Sequence, residues 1–434
     1  MKRYDSYKDS GVEWIGEIPT SWSSLKIKRT TNIKRGSSPR PIDDPKYFDD
    51  EKGEYHWIRI SDVSKSGRYL THTEQKLSEL GSSLSHKLNE DEIVMSISGS
   101  VGKVFITKTK CCIHDGFVTF ENPKVERDFL YYLLTNDELY NEDRRLGTQF
   151  NINSEIVGNK YIPFPPLSEQ QQIVSFLDTK TSLIDSLIEK TQRKIKLLKE
   201  KRTSLINEVV TKGLNPNVEM KDSGVKWIGE IPSHWELKKF KHFISKIIDN
   251  RGRTPELVES GIPYIEVKHI NGDSYHPNFN TDNFITQNTY DTFLRGYLEE
   301  GDVLFSTVGS VLGKTSIFPP NKKGCIIQNV VGFRFNNSYV PIYMMFQLRT
   351  FVDRNHDLLV NNSNFQGSIK VSTFRENFFI SPPFSEQNEI VSYLDEQTQL
   401  IDKTISIEEK RIELLKEYRQ SLISEVVTGK RKVV

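Results

Sequence analysis

The sequence predicts an α+β protein: two similar mixed α/β domains separated by two long antiparallel coiled-coil helices, related by a pseudo-twofold that comes from internal duplication. Three observations predict this. The block from Lys8 to Pro19, closed by Trp22, returns from Lys221 to Pro232, closed by Trp235. A second block, Pro165-Pro166 through Ser168-Glu169-Gln170 to Thr211, returns from Pro382-Pro383 through Ser385-Glu386-Gln387 to Thr428. The stretches between these frames have drifted apart, as expected of two domains that share a scaffold and recognise different things. A chain of 434 residues is too long for one ordinary core, while halves of roughly 200 residues are each large enough to fold. The period is far too long for a solenoid. The expected boundaries are 1–166 for the first domain, 167–213 for the first long helix, 214–383 for the second domain, and 384–434 for the second helix and tail.

Each long helix is announced by its approach and its periodicity. Pro163, Pro165 and Pro166 cannot continue a helix, Ser168 is a candidate N-cap, and Gln171 completes a capping-box pattern. Apolar positions then alternate four and three residues apart: Ile184, Ile188, Ile195, Leu198, Leu205 and Val209, with polar Thr191 and Arg202 in the same register. The second copy keeps that register as Ile401, Ile405, Ile412, Leu415, Leu422 and Val426, with Glu408 and Arg419 at the polar breaks. A narrow seam on a mostly charged helix calls for a second helix, and the other copy is the expected partner. Such a rod would reach roughly 60 Å, with the domains expected at opposite ends. Gly213 and Gly429 stand where a left-handed C-terminal residue is expected.

Between the frames, strands are expected at Tyr55–Ile60, Ile93–Ile97 and Val104–Ile106, and at Pro263–Val267, Val303–Ser306 and Ser316–Phe318. Helices are expected near Phe129–Leu139 and Ile342–Leu348. Cys111, Cys112 and Cys325 form no disulfide framework and lack zinc-site spacing, so they read as core residues. Hydrophobic residues make up 36% of the chain and charged residues 27%; with no apolar run near the ~18 residues of a membrane span, a soluble cytoplasmic protein without membrane association is expected. The net charge of +1 says little, but Lys26, Lys28, Arg29, Lys34, Arg35 and Arg40 cluster after the first tryptophan block. Lys238, Lys239, Lys241, Lys246, Arg251 and Arg253 cluster after the second.

Gly309-Ser310-Val311-Leu312-Gly313-Lys314-Thr315 is a near miss to a phosphate-binding NTPase loop, one residue short and followed by Phe318-Pro319-Pro320 instead of a helix. With its counterpart Gly99-Ser100-Val101-Gly102-Lys103, it reads either as a strand-linking turn or as a loop whose amides approach a DNA phosphate. Asp249, Glu266 and Lys268 fit the loose pattern of a metal-dependent nuclease, but the first copy has Arg59 and Ser61 at the positions of Glu266 and Lys268. No Asn-Pro-Pro-aromatic methylation motif exists. The four frame tryptophans, Trp14, Trp22, Trp227 and Trp235, read as structural anchors.

In duplicated order, the Trp-Ile-Gly-Glu-Ile-Pro frames, the GSVGK-like loops and the Pro-Pro-Leu/Phe-Ser-Glu-Gln helix entries resemble the specificity subunit of type I restriction-modification enzymes. The resemblance implies two target-recognition domains, each reading one part of a bipartite, asymmetric site in double-stranded DNA. It also implies two methyltransferase subunits docked on the frames and restriction subunits in the same complex. S-adenosylmethionine, ATP and Mg are implied for those partners, while this chain carries no catalytic residue, metal or cofactor. Residue chemistry nominates Arg35, Ser37, Arg40, Arg59, Ser98, Ser100, Lys103, Arg145 and Gln149 for DNA contact in the first half. The second half offers Arg251, Arg253, Lys268, Ser310, Lys314 and Gln366. The competing classes are a standalone nuclease, which would cut DNA by itself with magnesium, and a scaffold that binds only proteins.

The seam carries its own test. Residues 1–220 alone are predicted to pair through the exposed seam into a twofold dimer, and a monomer at high concentration in analytical ultracentrifugation would remove its main support.

Overall fold

The repeated opening block folds as the same small hairpin in both copies. Tyr7–Asp9 pairs antiparallel with Glu17–Pro19, and Met220–Asp222 with Glu230–Pro232. Asp9 and Asp222 each accept the N–H of the glycine two residues on, at 2.9 Å in both cases. Those glycines, Gly11 and Gly224, have φ of +71° and +68°, a region costly for any residue with a Cβ. The structure is a computed structural model that describes residues 3–433 except 100, 141–151, 253, 271–273, 309–311, 327–328 and 362–370. It divides into two units, Met1–Gln192 with Glu409–Val434, and Arg193–Glu408.

In the first unit, a five-stranded sheet runs in the order Asn32–Arg35, Phe117–Glu121, Ile93–Ser96, Val104–Thr107, Tyr69–Leu70. A four-stranded sheet follows the order Gln75–Leu77, Tyr55–Ile58, Cys111–Ile113, His86–Leu88. The central strands Ile93–Ser96 and Val104–Thr107 are buried throughout, so they read as continuous apolar runs rather than alternating ones. In the second unit, the corresponding sheet is Ile244–Ile248, Val330–Phe335, Val303–Ser306, Thr315–Ile317. Cys111, Cys112 and Cys325 are free and buried, and burial pushes the Cys112 and Cys325 thiols up to about 12.

The two long helices span Leu167–Lys212 and Phe384–Val427. Each begins in a repeated set of hydrogen bonds. The Glu169 carboxylate accepts Trp22 Nε1–H at 2.8 Å and also the Tyr4 hydroxyl; Glu386 accepts Trp235 Nε1–H at 2.9 Å and pairs with His234 at 2.7 Å. The next residue is buried in both copies. Gln170 accepts the Glu126 N–H at 2.7 Å and donates to the Pro165 carbonyl at 2.9 Å. Gln387 accepts the Val340 N–H at 2.9 Å and donates to the Pro382 and Ser338 carbonyls at 3.0 and 3.2 Å. In the first unit Arg68 adds a tie, bonding Asp128 on the head and Asp178 on the helix.

Within each unit the two helices run antiparallel and in contact. In the second unit Lys194 meets Glu408 at 2.5 Å and Arg202 meets Asp402 at 3.0 Å, so one helix ascends as the other descends. In the first unit Arg419 meets Asp185 at 3.0 Å. Asp185 and Asp402 hold matched positions of the two copies, as do Arg202 and Arg419, so exchanging the copies turns one ion pair into the other. All twelve apolar seam positions, Ile184, Ile188, Ile195, Leu198, Leu205, Val209, Ile401, Ile405, Ile412, Leu415, Leu422 and Val426, are buried or half-buried.

The seam is wider at its ends than the heptad pattern predicts. Leu422, Ile423, Val426 and Val427 sit in the core of the first unit with Ile15, Ile18 and Trp22. Ile206, Val209 and Val210 sit in the second core with Trp227, Ile231 and Trp235. The terminal turns therefore pack on a head as well as on a helix. Other expectations are corrected locally. Ser168 is no N-cap, because the Pro166 carbonyl already accepts the Glu169 and Gln170 N–H groups at 2.9 and 3.0 Å. The strand expected to reach Ile60 ends at Ile58, where Arg59 leads into the helix Ile60–Lys65. The strand expected over Pro263–Val267 is only Ile262–Pro263, because Val267–His269 turns as a 3-10 helix. The helix expected near Phe129–Leu139 divides into Arg127–Leu134 and Asp137–Tyr140, and the one near Ile342–Leu348 extends over Pro341–Asn361. Gly213 and Gly429 have φ of +72° and +75°, the left-handed closure expected after each long helix.

Gln387→Leu leaves the Val340 N–H and the Ser338 and Pro382 carbonyls without their buried partner. A destabilisation of about 2 kcal/mol or more is expected in urea unfolding of the full chain.

Candidate nucleic-acid interface

In the first unit, the chain leaves strand Asn32–Arg35 through Gly36, which lies against the turn His114-Asp115-Gly116. A Cβ at Gly36 would come within 2.2 Å of the His114 carbonyl oxygen, so only glycine permits the approach. Around this crossing the structure gathers four residues nominated from sequence. Arg35 Nε donates to the Asp115 carbonyl at 2.6 Å, and Arg40 Nη2 meets the Asp115 carboxylate at 3.2 Å. Ser37 donates its N–H to the Ile113 carbonyl at 3.0 Å. A Cβ placed on Gly116 would lie 2.5 Å from Ser98 Oγ, so Ser98 closes the same corner. Burial pushes the His114 imidazole below its ordinary range despite Asp115 nearby. Its Nδ1 accepts the Gly116 N–H at 2.9 Å.

The glycine loops of the two copies close on the same hydrogen bonds, although the second is one residue longer. Ser96 Oγ accepts the Lys103 N–H at 3.1 Å, and Ser306 Oγ accepts the Lys314 N–H at 3.0 Å. The Gly102 and Gly313 N–H groups reach the Ser96 and Ser306 carbonyls at 2.9 and 3.0 Å. Both glycines are left-handed, with φ of +83° and +79°, and both loops join antiparallel strands. A strand-linking turn, not the strand-to-helix geometry of an NTPase loop, is what the sequence encodes here. Lys103 and Lys314 are exposed, and Lys103 Nζ reaches Ser64 Oγ at 3.2 Å. Ser64 lies on the helix that Arg59 leads into, and Arg59 itself is exposed.

These turns align the sheets of the two copies. Lys34 pairs with Thr119 and Thr119 with Val94, while Ile248 pairs with Gly332 and Gly332 with Leu304. Val94 and Leu304 each lie two residues before the turn serine, so Arg35 of the first copy corresponds to Asp249 of the second. A cation in one head is thus an anion at the same place in the other. Asp249 is bound by Arg251, whose Nε and Nη2 reach its two oxygens at 2.8 and 2.6 Å. Arg251 first holds the Asp249 carboxyl below its usual range. Burial would raise Glu266, but hydrogen bonds from Lys268 and Asn283 outweigh it and hold that carboxyl low. Glu266 meets Lys268 at 2.8 Å and accepts from Asn283 at 3.1 Å. The carboxylates nominated for a nuclease are therefore committed to neighbouring donors. Among the described residues no group of three His, Cys, Asp or Glu side chains gathers to hold a metal.

Ser100, Arg145, Gln149, Arg253, Ser310 and Gln366 lie outside the described residues. His114, Asp115 and Asn250, which shape the two corners, were not singled out by sequence reasoning. The turn-forming stretches His-Asp-Gly and Asp-Asn-Arg-Gly were the available signal. Exposed arginines, lysines and serines beside rigid turns suit contact with phosphates and base edges.

Comparison with known proteins bears on this arrangement. Residues 21–197 match the model of the type I restriction modification DNA specificity domain. Over nearly its whole length the chain is similar to the type I restriction enzyme MjaVIII specificity subunit of Methanocaldococcus jannaschii, 23% identical over 96% of this chain and 94% of the relative. It is likewise similar to the putative MjaX specificity subunit of the same organism, 26% identical over 96% of each. Residues 21–197 thus match a type I DNA specificity domain, and the chain as a whole is similar to type I specificity subunits. Its fold is also that of a chain solved in work on complex assembly and conformational transition of the type I R-M system. The TM-score is 0.70 at 17% identity, covering 94% of this chain and 98% of the other. The two heads share one sheet arrangement whose matched corners carry different residues, Arg35 in the first and Asp249 in the second.

Gly36→Ala forces a methyl group into the His114 carbonyl and should destabilise the protein by about 1–3 kcal/mol. Gly67→Ala meets nothing within 4 Å and should be near neutral when both are compared by thermal unfolding.

Proposed function

We propose that this chain is the DNA-recognition subunit of a type I restriction-modification complex, each unit reading one part of a two-part, asymmetric DNA site. The observation that carries the reading is the duplicated scaffold with unlike residues at matched corners, Arg35 opposite Asp249. A palindromic site would ask for the same residues twice, and these corners carry different ones. Base contacts from exposed arginine side chains supply the sequence reading, and the lysines on the turns supply phosphate attraction.

In this reading two methyltransferase subunits dock on the specificity subunit and restriction subunits join them. S-adenosylmethionine, ATP and Mg act in those partners. An exposed apolar stripe, separate from the buried seam, suits such docking. Tyr393, Leu400 and Ile407 follow one another at heptad spacing on the second long helix, and Leu400 and Ile407 are 55% and 59% exposed. In the other unit Leu183 and Leu187, with Leu414 and Tyr418, are likewise exposed. Heptad-spaced apolar residues ask for a helical partner, and helices of the methyltransferase subunits are the proposed occupants. No helix among the described residues is long and apolar enough to cross a membrane.

Two experiments test this. Methylome sequencing with and without the gene should show loss of one bipartite methylation motif; an unchanged methylome would overturn the reading. Leu400→Lys with Ile407→Lys should leave the chain folded yet weaken co-purification of methyltransferase subunits, each change costing about 1–2 kcal/mol of binding.

A further inference from the structure

The end of strand Ile244–Ile248 carries an arginine that is held more firmly than solubility requires. Asn250, fully buried, uses all four of its side-chain hydrogen-bonding positions. Its Nδ2 donates to the Gly296 and Ile326 carbonyls, both at 3.0 Å. Its Oδ1 accepts the Arg295 and Gly296 N–H groups at 2.7 and 3.0 Å. The backbone on either side, at Asp249 and Arg251, is thereby pinned to two other loops. Asp249 then fixes the guanidinium itself, taking one N–H from Nε and one from Nη2 and also accepting the Arg251 backbone N–H at 3.1 Å.

Geometry decides which edge of Arg251 remains. A carboxylate on the Nε/Nη2 side leaves the end-on edge, with one N–H from each terminal nitrogen, pointing away from Asp249. No described residue occupies that edge, and the side chain is 37% exposed. Arg334 is the instructive contrast. Asp302 forks it in the same way, but its remaining donors go to Glu299 and the Tyr297 carbonyl, so it is spent inside the fold. Two parallel donors match the N7 and O6 acceptors of guanine. Adenine presents a donor beside its acceptor, and thymine and cytosine offer no such acceptor pair. Pairing with Asp249 also weakens the pull of Arg251 on phosphates, which favours base contact over backbone contact.

We propose that Arg251 reads a guanine in the part of the DNA site recognised by the second unit, with Asp249 as its positioning residue. This rests on the DNA-recognition reading above and adds a base and two residues to it. Asp249 thus serves specificity rather than metal binding.

The test is selection of duplexes from a randomised library by the full chain in complex with its methyltransferase subunits, using wild type, Arg251→Lys and Asp249→Asn. Wild type should select a two-part motif. Arg251→Lys keeps the charge but not the fork, and should reduce preference for G·C at one position of one half by roughly five- to a hundredfold. Asp249→Asn should relax the same position more mildly, and the other half of the motif should be unchanged in both variants. The proposal is overturned if Arg251→Lys leaves every position as in wild type, if the relaxed position is not a G·C pair, or if both halves are lost together. A wild-type complex that selects no motif would instead defeat the DNA-recognition reading itself.

Discussion

Everything in this molecule depends on how a long helix is fastened to a variable head. The fastening is a pair of adjacent side chains, Glu169-Gln170 in one copy and Glu386-Gln387 in the other. The glutamate holds an indole N–H of the frame. The glutamine reaches the head, and what it touches there is backbone: the Glu126 N–H in the first unit, the Val340 N–H and Ser338 carbonyl in the second. Backbone partners place no demand on side-chain identity. The inserts between the frames are therefore free to change their sequences, provided one chain turn arrives at the glutamine. This explains in physical terms how two heads can differ so much while their helices keep the same start.

The helix pair follows a second economy. Its reciprocal ion pairs, Arg202 with Asp402 and Arg419 with Asp185, repeat one contact with the copies exchanged. Such partly exposed pairs contribute little stability each, but they penalise a shifted register, where like charges would meet. The apolar seam supplies attraction and the charges supply alignment. Where the copies depart from symmetry, as at Glu408 against Thr191, a buried carboxylate is met by Lys194 from the facing helix.

Much of this was legible in the sequence, and the boundary of legibility is physical. The long helices follow from register kept over many turns, a signal no local accident imitates, and their antiparallel pairing follows from the two copies lying in one chain under a pseudo-twofold. The closing glycines follow from the left-handed conformation that helix ends require. What could not be read was non-local. Nothing in the string places Asp115 beside Arg35 and Arg40, because their approach depends on Gly36 admitting a distant turn. Ser168 is not the N-cap because the Pro166 carbonyl already supplies the helix with its first acceptor. The short strand at Ile262–Pro263 stops because the Glu266 N–H turns to His269 Nδ1, 2.9 Å away, a tertiary competition that propensity does not see. Of the nominated contact residues, Arg35, Ser37, Arg40 and Ser98 share a corner, and Arg40, Arg251 and Lys268 each close on a neighbouring carboxylate.

The division of the chain has a consequence for how it comes to be folded. All of Arg193–Glu408 lies, in chain order, inside the two pieces of the other unit. Leu422, Ile423, Val426 and Val427 fill space beside Ile15, Ile18 and Trp22, so a ribosome must deliver an entire second body before the first can be sealed. Until then an apolar surface stays open on the nascent polypeptide. Closing so long a loop carries an entropic cost that grows only slowly with its length, so the delay is chiefly one of synthesis. The unit begun first is the one completed last.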